Sequence, residues 1–75
     1  MHRWRAFLEL RKVLAAIRQE QKRGQATPEF GERASQIVEK VALAIEPEPD
    51  DALLELIDYV RAEIGDIRAG RSGNR

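Results

Sequence analysis

Residues 50–68, DDALLELIDYVRAEIGDIR, place Leu53, Ile57, Val60, Ile64 and Ile67 at steps of 4, 3, 4 and 3. An α-helix turns once in about 3.6 residues, so these five apolar side chains share one face. No part of the chain alternates apolar and polar residues at the period of two that a strand needs. Asp50 and Asp51 in the opening turn complement the positive end of the helix dipole, and Pro49 fits the first helical position. The spacing therefore predicts a helix over about 50–68.

Immediately before it, Glu46-Pro47-Glu48-Pro49 cannot be helical, because each proline removes a donor and disfavours helix in the preceding residue. This stiff acidic connector separates the last helix from another periodic segment. There Phe30, Ala34, Ile37, Val41 and Ala44 recur at 4, 3, 4 and 3, with Val38 and Ile45 flanking them. Thr27 is suited to cap that segment and Pro28 to begin it, which predicts a helix over 28–45. Gly31 costs its first turn roughly 1 kcal/mol relative to Ala, and it marks either the close approach of another backbone or nothing.

Further upstream, Gly24 follows Lys22 and Arg23, a helix stop in which glycine takes the left-handed cap and cations face the negative dipole end. Phe7, Leu10, Leu14 and Ile17, widened by Ala6 and Val13, predict a first helix over about 3–23. The expected fold is thus all-α: a helical hairpin plus a third helix, one domain over 1–68, with a disordered basic tail at 69–75. The heptad-like spacing suits helices crossing at shallow angles.

Charge is segregated along these elements. The chain has 13 basic and 13 acidic side chains. Residues 1–23 hold seven basic against two acidic ones, a net of +5, and residues 46–66 hold eight acidic against Arg61 alone, a net of −7. A basic first helix and an acidic third helix are complementary partners, within one chain or between two.

Several apolar residues fall off the three main stripes. Trp4, Leu8 and Ala15 form a second stripe on the first helix, roughly 100–120° from the first. Leu43, Leu54 and Tyr59 lie away from the stripes of the other two. A chain this short draws only about 3–5 kcal/mol from one core. It has no cysteine for disulfides and a single histidine, His2, so self-association is the stabiliser that remains. The contact expected from this pattern comprises Trp4, Leu8, Arg11 and Ala15 on the first helix with Leu54, Asp58 and Tyr59 on the third. The partner is the chain itself, as a homo-oligomer with two-fold dimers the commonest arrangement, together with another protein.

The competing reading is nucleic-acid binding by the first helix, with Arg3, Arg5, Lys12 and Arg18 on phosphates and Trp4 stacking on a base. Against it, Arg5, Lys12 and Arg23 lie about 100° around the helix from Arg11, Arg18 and Lys22, and the acidic third helix repels a duplex. Membrane-surface binding is not expected, since an amphipathic basic helix equally describes one packed on an acidic neighbour. No apolar run approaches the roughly 20 residues of a membrane span. The expected protein is non-enzymatic, cytoplasmic, and without cofactor or metal. Ser35 and Ser72 have no histidine base nearby. The run Glu46–Asp51 lacks the turn glycine and distal glutamate of a calcium loop.

Overall fold

Residues 2–70 are described in the computed structural model, and they form three helices: α1 (Arg3–Lys22), α2 (Pro28–Ile45) and α3 (Asp51–Arg68). Each end follows from local chemistry. His2 caps α1, its Nδ1 accepting the Trp4 N–H at 3.1 Å. At the other end Gly24 sits at φ 69°, with the Gln25 N–H on the Glu20 carbonyl at 2.8 Å and the Gly24 N–H on that of Gln21 at 3.1 Å. This is the two-bond Schellman closure that a left-handed glycine permits. Thr27 Oγ1 accepts the Phe30 N–H at 3.2 Å, and Pro28 follows at the first helical position. At α3 the cap is Asp50, whose Oδ1 accepts the Leu53 N–H at 3.1 Å. Pro49 therefore precedes α3 rather than opening it, because a carboxylate that satisfies a free N–H outranks a residue that merely lacks one. At the far end the Ala69 N–H bonds the Gly65 carbonyl and the Gly70 N–H that of Ile67, both at 3.0 Å, with Gly70 at φ 77°. Of the tail expected to be disordered, residues 71–75 lie outside the described residues.

Every helix touches both others. Glu39 and Glu32 of α2 pair with Arg61 and Arg68 of α3 at 2.8 and 3.1 Å, so these two helices run antiparallel. Arg3 meets Asp50 and, further along, Arg18 meets Tyr59, so α1 and α3 run parallel. The Pro-rich connector thus returns α3 onto the hairpin of its own chain. The bundle measures 38 × 18 × 17 Å, the shape of three such helices laid side by side at 1.5 Å per residue.

The core is wholly apolar. Leu10, Ile17, Val38, Leu53, Ile57, Val60 and Ile67 are its largest fully buried side chains, and no polar or charged residue among those described is buried with them. On α3 the buried row is the predicted one, Leu53, Ile57, Val60, Ile64 and Ile67. On α2 it is Gly31, Ala34, Val38, Val41 and Ile45, so the helix is turned relative to the predicted row and Ile37 is left 44 % exposed. The cause is Gly31. A Cβ there would stand 3.0 Å from Ile67 Cγ2 and 2.9 Å from Arg68 Cγ, so only glycine admits the end of α3 this close. That approach swings the glycine's row inward. On α1 the shift runs the other way, one residue back, so that Ala6, Leu10, Val13 and Ile17 are the buried row, with Phe7 and Leu14 half-buried beside it.

The two helical glycines are expected to respond oppositely to alanine. Nothing lies within 4 Å of a Cβ at Gly65, so Gly65→Ala gains about 0.5–1 kcal/mol and raises Tm by several degrees. Gly31→Ala forces the buried Ile67 to move and shows no such rise. Thermal melts followed by circular dichroism check both.

Candidate interaction surface

The outward face of α1 is opposite its buried row. At about 100° per residue, Trp4, Leu8, Arg11 and Ala15 lie roughly 130–170° from the Ala6–Leu10–Val13–Ile17 line. All four are exposed, Trp4 by 61 %. Of the two cation groups that looked scattered, one runs along the α3 side of this stripe and the other flanks it on the α2 side. Arg11, Arg18 and Lys22 lie toward α3, and Arg5, Lys12 and Arg23 toward α2, all of them exposed. The acids of α1, Glu9 and Glu20, are half-buried and off that face. Its outer half is therefore uniformly cationic. Among the described residues no carboxylate pairs with Arg5, Arg11, Lys12, Arg18 or Lys22, whereas Arg23 stands 3.7 Å from Glu20.

The outward face of α3 is the reverse. Asp51, Glu55 and Asp66 are exposed on it, Asp58 is exposed toward its α2 flank, and its two arginines, Arg61 and Arg68, turn toward α2. Arg61 grips Glu39 with two hydrogen bonds of 2.9 and 2.8 Å. These bonds hold the Glu39 carboxyl below its ordinary value and raise the guanidinium's.

Basic α1 and acidic α3 are neighbours, yet a single ion pair joins them among the described residues. Arg3 Nε donates to Asp50 Oδ2 at 2.8 Å. Arg18 Nη2 donates to the phenol oxygen of Tyr59 at 2.7 Å, a neutral acceptor. The Arg3 hydrogen bond, and behind it the Leu53 N–H, lower the Asp50 carboxyl. Asp50 and Glu39 thus both have depressed folded values. Their contribution to stability is present above the unfolded carboxylate range near 4 and is lost as pH falls through the lower folded values. Tm is expected to drop on acidification below about pH 4. The Asp50→Asn variant keeps a capping oxygen but does not titrate, so it should start lower at pH 7 and fall less in acid.

The seam between α1 and α3 holds a groove of about 150 Å³ lined by Arg3, Trp4, Phe7, Ala52 and Leu53. The Trp4 and Phe7 rings stack there with centroids 6.4 Å apart, and the Arg11 guanidinium lies 5.8 Å over the Phe7 ring. A second groove, of about 220 Å³, lies between α1 and α2 and is lined by Val13, Ala16, Phe30, Arg33, Ala34 and Ile37.

The seven residues expected to form one contact divide into two sets. Trp4, Leu8, Arg11 and Ala15 share the outward face of α1, and Tyr59 adjoins it through Arg18. Leu54 and Asp58 do not adjoin it. Asp58 lies 3.9 Å from Arg61, on the flank that faces α2, and Leu54 is one helical turn before it. Tyr59 follows Asp58 in sequence but points about 100° away, which separates them. Of the candidate phosphate ligands, Arg5, Lys12 and Arg18 are exposed on α1, while Arg3 is held by Asp50. Sequence reasoning missed the Arg3–Asp50 pair and the α1–α2 groove. The first joins residues 47 apart in sequence, and the second depends on the turn of α2. His2 is occupied as the α1 cap, and no group of three or more metal-ligating side chains occurs among the described residues. No described helix is long and apolar enough to cross a membrane. No protein-family model, curated protein or solved structure matches this chain.

Proposed function

We propose that this chain is a non-enzymatic protein–protein interaction module, an adaptor, assembly component or inhibitor, that associates with itself through basic α1 and acidic α3. One observation supports this reading above the others: the two helices touch inside the chain but turn most of their opposite charge outward, leaving complementary faces for a second protein. The exposed apolar residues on α1, Trp4 and Leu8, give such a contact an apolar centre with a charged rim. Trp4 is the only tryptophan and reports directly on the contact. Its emission is expected to shift to the blue as concentration rises at low salt, and to return to the red on dilution or added salt. Emission independent of concentration and salt overturns the reading.

Nucleic-acid binding is the second reading, favoured by the lack of acids on the outer half of α1. It requires labelled single- or double-stranded nucleic acid to bind with a steep salt dependence, and binding to weaken in Arg5→Ala and Lys12→Ala variants. The interaction-module reading expects no binding in that titration.

A further inference from the structure

We infer that the second copy sits on the α1–α3 seam, and that it does so about a two-fold axis running along the bundle, so that all helices of the seam point the same way. This rests on the self-association proposed above and adds its geometry. The seam has two walls of opposite charge. By helix spacing the α1 wall carries exposed Arg11 and Arg18 and the α3 wall exposed Glu55 and half-buried Glu63, with Trp4 and Ala52 along the groove between them. Because α1 and α3 are parallel, only the direction of the axis decides which walls meet. A two-fold axis along the helices carries α1 of one copy onto α3 of the other, and α3 onto α1. A two-fold axis across the helices carries α1 onto α1 and α3 onto α3, setting cation against cation and acid against acid. Like charges facing each other in a contact are strongly disfavoured, so the parallel arrangement is the one selected.

The area suffices. A stable contact takes about 800 Å² from each partner, and the chain exposes 5233 Å² in all. A two-helix face offers that much. The parallel arrangement also brings the Trp4 end of one groove against the Trp4 end of the other, so that the apolar surfaces of both meet at one level.

Spin labels test the axis. The chain has no cysteine, so Lys22→Cys and Asp51→Cys each give a unique site, one at the end of α1 and one at the start of α3. Both are exposed. In the parallel dimer, label distances within Lys22→Cys and within Asp51→Cys dimers are short. Distances between the two sites in mixed dimers are longer, by roughly the helix length at 1.5 Å per residue. In the antiparallel dimer that order is reversed, which overturns the inference while leaving self-association intact. Mass that grows past a dimer with concentration marks head-to-tail assembly and likewise overturns the two-fold. A chain that stays monomeric at labelling concentrations overturns the proposed self-association as well.

Discussion

Leu10→Ala is expected to leave the chain largely unfolded at 25 °C. Leu10 is fully buried in the middle of α1, in the row that α2 and α3 close over. Removing a buried leucine side chain costs about 2–5 kcal/mol, the transfer term plus the cavity left behind. A bundle this small holds only about 3–5 kcal/mol in its core, so the loss is comparable to the whole. No buried polar network, disulfide or metal group among the described residues offsets it. The control is Leu43→Ala. Leu43 is the same residue type on a helix of the same bundle, but it is 65 % exposed, and its truncation is expected to change stability by no more than about 0.5 kcal/mol. Circular dichroism during urea unfolding separates the two. A folded Leu10→Ala chain with an unchanged midpoint would show that the stability lies elsewhere than in this core.

The second large effect is on association. Reversing Arg11 and Arg18 to Glu places acid on the α1 wall, where it would meet the acidic wall of the proposed second copy. Each exposed pair is worth only about 0–1 kcal/mol. The double reversal, however, turns four contacts in a two-fold dimer from attraction to repulsion. Taken at about 0.5–1 kcal/mol for each contact, these amount to about 2–4 kcal/mol, or roughly 30- to 1000-fold in Kd. Glu55→Lys with Glu63→Lys makes the mirror change on α3 and should weaken association as much. Neither pair of substitutions enters the core, so the helical signal is expected to persist. Added salt should weaken the unaltered chain in the same direction, because Arg11, Arg18 and Glu55 are exposed and Glu63 half-buried, and charges at such a surface are screened within about 10 Å at 0.1 M.

How far the residues alone reveal this arrangement differs from helix to helix. The α3 row is read directly, since Leu53 to Ile67 is the only continuous apolar row on that helix. On α2 two rows overlap, one through Phe30 and Ile37 and one through Val38 and Ile45, and periodicity cannot choose between neighbours when both are apolar. Gly31 makes the choice by letting α3 approach, and a glycine carries no pattern of its own. The helix stops at Gly24 and at Pro47–Pro49 are visible because glycine and proline act locally. Arg3–Asp50 and Arg18–Tyr59 are invisible because they depend on how the whole chain folds back. For the candidate surface, the α1 stripe of Trp4, Leu8, Arg11 and Ala15 follows from helix geometry alone. The division of Leu54 and Asp58 from Tyr59 follows only from knowing which flank of α3 faces α1.

Opposite charge on α1 and α3 is proposed to pair between chains. Light-scattering mass of the two reversed variants, alone and mixed, tests it most directly. The Arg11→Glu, Arg18→Glu chain and the Glu55→Lys, Glu63→Lys chain are each expected at the monomer mass of 8.6 kDa. Mixed in equal amounts at low salt, acid on one α1 meets base on the other α3, and the unaltered walls pair as before, so the mixture is expected at twice that mass. A mixture that stays at 8.6 kDa where the unaltered chain is a dimer, or an unaltered chain monomeric at every concentration and salt, contradicts the account.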